Sequence, residues 1–134
     1  MRRYFVDTWH FIARLQRLDG DHAAAVGLLH RFSDALLVTH DAVLMELLAF
    51  LSGTGAWNRA ASVEMVRETL RHWTVIPADR PLFLRALDRY AKRPDKGYSL
   101  VDCMSMVVME DHGITHVLTN DHHFRQEGFI VVSE

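Results

Sequence analysis

The stretch that most restricts what this chain can fold into is residues 98–129, YSLVDCMSMVVMEDHGITHVLTNDHHFRQEGF. Ser99 is placed to cap a helix, with Asp102 at the third helical position, the capping-box arrangement with Asp in place of Glu or Gln. Leu100, Met104, Val107 and Val108 recur at helical spacing, which predicts a helix with a buried face that stops at Gly113. Residues 116–119, HVLT, are short and mostly apolar, as a strand buried in a parallel sheet is. Asp121 follows at the carboxyl end of that strand. Two acids thus reach the tips of adjacent elements, where open parallel sheets place their active sites.

The same alternation runs through the rest of the chain. Apolar runs at 4–6, 35–39, 73–76, 116–119 and 129–132 read as strands, and the segments between them read mostly as helices. Asp7 and Thr8 close the first strand, and Asp41 or Thr39 is the expected cap of the helix that carries Glu46. Asp79 is the expected cap of a later helix with Pro81 in its first turn. Five short strands separated by helices predict an α/β fold with a mainly parallel central sheet. With 134 residues and no linker or repeat, the expectation is one domain over 1–134.

Charge and cysteine content exclude several function classes. A formal charge of -2 is wrong for a protein that coats nucleic acid through a generic basic surface. The single Cys103 excludes a disulfide framework and a cysteine-based zinc site. Nine histidines invite a zinc reading, yet none forms a His-Glu-x-x-His pattern, and His122 and His123 are adjacent. No apolar run reaches the roughly 20 residues of a membrane span. Arg2 and Arg3 lead straight into a strand-like run without a signal-peptide pattern, so the expected location is cytoplasmic.

Four acids stand out by position: Asp7, Glu46, Asp102 and Asp121. Asp7 and Asp121 each follow a strand, while Glu46 and Asp102 lie on helices that begin near strand ends or the loop before them. Taken singly, Asp7 reads equally well as a helix cap, Asp102 as a capping-box acid and Asp121 as a turn residue. Glu46 has no such alternative. It is mid-helix, and no Lys or Arg lies between His40 and Ser52, so it must find a proton, a donor or a metal. Two carboxylates about 5 Å apart repel by roughly 3 kcal/mol at an effective dielectric near 20, so a cluster stays ionised only around a cation. Oxygen donors select Mg²⁺ or Mn²⁺ over zinc, and such ions suit phosphodiester hydrolysis. Arg14, Arg17, Lys92, Arg93, Lys96 and Arg125 are the bases near these acids, each either a contact for the substrate phosphate or a solvated surface charge.

Four motifs, residues 5–8 (FVDT), 43–47 (VLMEL), 99–102 (SLVD) and 118–124 (LTNDHHF), resemble those of PIN-domain ribonucleases, and within them the VapC-like toxins of toxin–antitoxin pairs. The resemblance implies a three-layer α/β/α sandwich, an Mg²⁺ or Mn²⁺ site and cleavage of single-stranded RNA. It implies catalytic, metal-holding roles for Asp7, Glu46, Asp102 and Asp121, with Thr8, Ser99 and Thr119 in support. It also implies a homodimer and a cognate antitoxin. Trp57, Trp73 and the apolar helix around residues 43–51 offer surface for self-association; the plainer reading makes both tryptophans core residues. Some relatives carry a further acid after the last one, where this chain has His122 and His123, which are either RNA contacts or exposed turn residues. The alternative to an enzyme is a non-catalytic RNA- or partner-binding module. An aspartyl-phosphate enzyme would want an acid at the position of Trp9.

Overall fold

The computed structural model describes residues 2–16 and 20–133. In chain order the elements are β1 (Arg3–Val6), α1 (Thr8–Leu15), α2 (His22–Arg31), β2 (Leu36–His40), α3 (Asp41–Leu51) and α4 (Ala56–His72). They continue with β3 (Thr74–Ile76), α5 (Arg80–Ala91), α6 (Leu100–Asp111), β4 (His116–Leu118), the short α7 (His123–Gln126) and β5 (Ile130–Val132). All strand pairings are parallel, in the order β3-β2-β1-β4-β5. From β1 the chain steps outward on one side to β2 and β3, then returns past β1 to build β4 and β5. The reversal falls between β1 and β4.

Burial explains the layers. Successive strand residues point to opposite faces, and in β1 Tyr4, Phe5 and Val6 are all buried, so both faces of the sheet are covered. α1 packs against α2 and α3, α3 against α4, and α5 against α6, giving the expected three-layer α/β/α sandwich. α6 departs from the one-faced helix of the sequence reading. Every residue from Cys103 to Met109 is buried, because α5 covers the side that would otherwise meet water. Its end is a Schellman turn. Gly113, at φ +63°, donates to Glu110 O (3.2 Å), and Ile114 N donates to Met109 O (2.8 Å), which turns the chain directly into β4.

Two details differ from expectation. The cap of α3 is neither Thr39 nor Asp41 but His40, whose Nδ1 accepts from Ala42 N (3.2 Å) and Val43 N (3.3 Å). β2 runs one residue further than its apolar run, so Thr39 is still in the strand and donates to Val6 O (2.9 Å). Asp41 already lies in the helix, where it accepts from Ala78 N (3.1 Å). The tryptophans also separate. Trp73 packs against Phe11 at 5.3 Å between ring centroids and is half-buried against the core, whereas Trp57 at the start of α4 is 75% exposed. No helix among the described residues is long and apolar enough to cross a membrane.

Candidate metal centre

The reversal of strand order falls between β1 and β4, and the carboxyl ends of strands at such a reversal are where open α/β sheets bind ligands. Asp7 leaves β1 there. Its backbone N donates to Leu118 O (3.2 Å), and its carboxyl Oδ2 accepts from the Thr119 hydroxyl (2.8 Å). The Thr119 oxygen also accepts from Asp121 N (3.1 Å), so one hydroxyl ties the ends of the two central strands together. Asp121 Oδ1 accepts from His123 N (2.9 Å), the local turn expected of an Asn-Asp segment.

Glu46 has the donor its mid-helix position demanded. Thr8, the first residue of α1, donates its hydroxyl to Glu46 Oε1 at 2.5 Å. Asp102 sits at the start of α6 in a complete capping box: Ser99 Oγ accepts from Asp102 N, and Asp102 Oδ2 accepts from Ser99 N, both at 3.0 Å. A carboxylate there is also favoured by the helix dipole. Thr8, Ser99 and Thr119 therefore each orient one of the acids. The oxygens that accept these side-chain and backbone hydrogen bonds are Asp7 Oδ2, Glu46 Oε1, Asp102 Oδ2 and Asp121 Oδ1.

The electrostatics bind the four into one group. Burial pushes the Asp7 carboxyl up to about 7, the Thr119 hydrogen bond opposes that rise, and the charges of Asp102 and Glu46 add to it. Asp102 is also raised, first by burial, with Asp121 and Glu46 contributing. Among the described residues no Lys or Arg forms a salt bridge with any of the four. Oriented oxygen donors in a partly buried cluster, with no Lys or Arg ion pair among the described residues, fit a hard divalent cation. Asp102 and Asp121, joined by His123, offer ligand atoms that all lie within 4.8 Å of one another.

The bases are less uniform. Arg14 lies in a groove between α1, α2 and α4 with Leu29, Met65 and Trp73, its guanidinium 5.9 Å from the Trp73 ring centroid, and none of the four acids lines that groove. Arg93 is held by Glu127 (3.0 Å) and Lys92 by Asp88 (2.8 Å). Lys96, before α6, and Arg125, in α7, form no ion pair among the described residues. Arg17 lies outside the described residues.

Sequence reasoning missed two parts of this arrangement. His40 and Ser105 form a buried pair that joins the start of α3 to α6. Because His40 Nδ1 accepts from the α3 backbone, its Nε2 carries the proton and donates to Ser105 Oγ (2.9 Å). Burial lowers the His40 pKa to about 4, so the pair is neutral near pH 7. The second is the pairing of His123 with Asp121: the sequence offered His123 only as an RNA contact or an exposed turn residue, and the turn after β4 brings it beside Asp121.

The family model described as PIN domain matches residues 4–129. The chain belongs to this family. Among solved structures similar to this PIN domain is VapC20 of Mycobacterium tuberculosis, described as a sarcin–ricin loop cleaving toxin. It is 26% identical with a TM-score of 0.86, over 98% of this chain and 99% of that one. FitAcB from Neisseria gonorrhoeae is 18% identical with a TM-score of 0.69, over 96% and 95% of the two chains. DNA-bound VapBC from Salmonella typhimurium is 17% identical with a TM-score of 0.66, over 98% of each chain. No curated protein sequence matches the chain.

Proposed function

We propose that this PIN domain is a metal-dependent endoribonuclease, the toxin of a toxin–antitoxin pair. The observation that carries this reading is the electrostatic grouping of Asp7, Glu46, Asp102 and Asp121 around the carboxyl ends of β1 and β4, with no Lys or Arg ion pair to any of them among the described residues. The likeness over nearly the whole chain to a toxin described as cleaving the sarcin–ricin loop supports it. In this account the four carboxylates hold Mg²⁺ or Mn²⁺, which supplies a lowered pKa for attacking water and neutralises charge on the leaving oxygen. Thr8, Ser99 and Thr119 keep the carboxylates oriented. Lys96 and Arg125 meet RNA phosphates and offset the acidity that would otherwise repel them.

Purified protein is expected to cut single-stranded RNA, and to be tested also on structured RNA including the sarcin–ricin loop. Cleavage should stop with EDTA and return with Mg²⁺ or Mn²⁺. Cleavage indifferent to EDTA would remove the metal from the account; no cleavage of any RNA would remove the enzyme.

The partner reading extends the same proposal. DNA-bound VapBC and FitAB assemblies share this fold, and a cognate antitoxin is the proposed inhibitor. A planar guanidinium from such a partner would bind these carboxylates in a bidentate fork. Met45 (65% exposed) and Phe50 (56%) on α3, with Trp57 (75%) on α4, are the apolar surface proposed for a homodimer. Expression of the chain alone should slow growth of a cytoplasmic host, co-expression of the antitoxin should restore it, and light scattering should give the mass of two chains. Harmless overexpression of soluble protein counts against the toxin role, and a monomer at micromolar concentration counts against the dimer.

A further inference from the structure

A nitrogen stands among the carboxylates. His123 Nδ1 is buried from solvent, although its side chain is 41% exposed, and it pairs with Asp121 Oδ1 at 3.1 Å without forming a hydrogen bond. That oxygen already accepts from the His123 backbone N–H, and the turn which makes this bond places the ring nitrogen beside it without aligning the two for a second bond. A buried nitrogen left without a hydrogen bond costs free energy unless something else meets it.

The ring is also fixed in place. Tyr98, itself buried, stands edge-on to it at 5.6 Å and 66°, and the Tyr98 hydroxyl is tied to Glu127 Oε2 at 3.2 Å. Glu127 is held in turn by Arg89 (3.1 Å) and Arg93 (3.0 Å). The turn sets where the ring stands, and this network sets its tilt. Two donors bound at right angles to one ion, each about 2.1 Å from it, stand about 3 Å apart. Asp121 Oδ1 and His123 Nδ1 already have nearly that separation, and one ligand atom from each of Asp102, Asp121 and His123 lies within 4.8 Å of the other two.

Resting on the metal-site reading above, we propose that His123 Nδ1 binds the same ion as Asp102 and Asp121, and that this mixed nitrogen–oxygen site prefers Mn²⁺ to Mg²⁺. The ligating nitrogen carries no proton in that role, so the proton sits on Nε2. Mg²⁺ gives up its water shell reluctantly and is held mainly by oxygen, whereas affinity for imidazole-containing sites rises along the first-row divalent ions. Exchanging one oxygen donor for imidazole therefore weakens Mg²⁺ relative to Mn²⁺. His123 is a specificity-determining ligand in this account, distinct from the four acids.

The test is pulsed electron paramagnetic resonance of Mn²⁺ bound to the whole wild-type chain, which needs no variant to be informative. A nitrogen hyperfine coupling on the bound ion is expected. It should vanish in His123→Ala and persist in His122→Ala. Calorimetric titration should show Mn²⁺ binding at least about tenfold tighter than Mg²⁺ in the wild type, and His123→Ala should remove most of that difference. Mn²⁺ bound without nitrogen coupling, or with a coupling that survives His123→Ala, overturns the assignment while leaving a carboxylate site standing. Failure of both ions to bind overturns the metal-site reading itself.

Discussion

Asp102→Asn is expected to lower RNA cleavage by at least about a thousandfold, equivalent to roughly 4 kcal/mol of transition-state stabilisation. The carboxylate is where the charges meet: Asp102 lies within the electrostatic reach of Asp7, Glu46 and Asp121. Asn keeps an oxygen able to accept from Ser99 N, so the capping box and the start of α6 survive. What is lost is the negative charge a divalent ion needs. Because the rest of the site is intact, the melting temperature should fall little, and removal of a repelling, partly buried carboxylate offsets some of the lost helix-dipole interaction. Cleavage assays on the variant, with circular dichroism to verify folding, check this. A folded Asp102→Asn protein that cuts RNA at the wild-type rate would contradict the role assigned to this residue.

A second large effect is expected from pH and metal together. The folded-state pKa of Asp7, about 7, stands above its ordinary value of 3.8 because burial disfavours the charged form. Between those values the folded protein holds a proton that the unfolded chain has released, so this group's stabilisation is complete below the lower value. It is lost as pH rises through the upper one. Asp102 is raised in the same direction. The metal-free protein should therefore lose up to a few kcal/mol between about pH 4 and pH 7, since retaining one proton against a tenfold fall in its concentration corresponds to about 1.4 kcal/mol. A divalent ion reverses the trend, because it binds the ionised cluster and not the protonated one. Millimolar Mn²⁺ should raise the melting temperature strongly near pH 8 and little near pH 5. Equal stabilisation at both pH values would contradict a carboxylate site containing Asp7.

Much of this centre was legible because its parts are local. The Ser99–Asp102 box is written in four consecutive residues, and the strand-end positions of Asp7 and Asp121 follow from short apolar runs that stop at an acid. Glu46 announced itself by lacking a basic neighbour, and the donor it needed proved to be Thr8, thirty-eight positions away. Long-range facts were not legible in this way. The central place of β1 depends on pairings between Phe5 and both Val38 and Val117, which no local pattern encodes. The total burial of α6 depends on α5 closing over it. His40 caps α3 where Thr and Asp are the usual caps, because an imidazole nitrogen at the strand–helix junction offers the same acceptor. His123 was visible as a residue but not as a neighbour of the acids, because adjacent histidines share no face of a helix or strand. The usable signal was its position two residues after Asp121 in a turn, where backbone reversal rather than helical period brings side chains together.

The central claim, that water attacks RNA at an acidic ion site, is tested most directly by single-turnover cleavage in heavy-oxygen water with Mn²⁺ present. Hydrolysis by water predicts one solvent oxygen in the new terminal phosphate, no cyclic phosphate product, and complete loss of cleavage when EDTA is added. A cyclic phosphate, an unlabelled product, or cleavage that continues in EDTA would show that the ribose hydroxyl attacks or that no ion takes part, and would contradict the account.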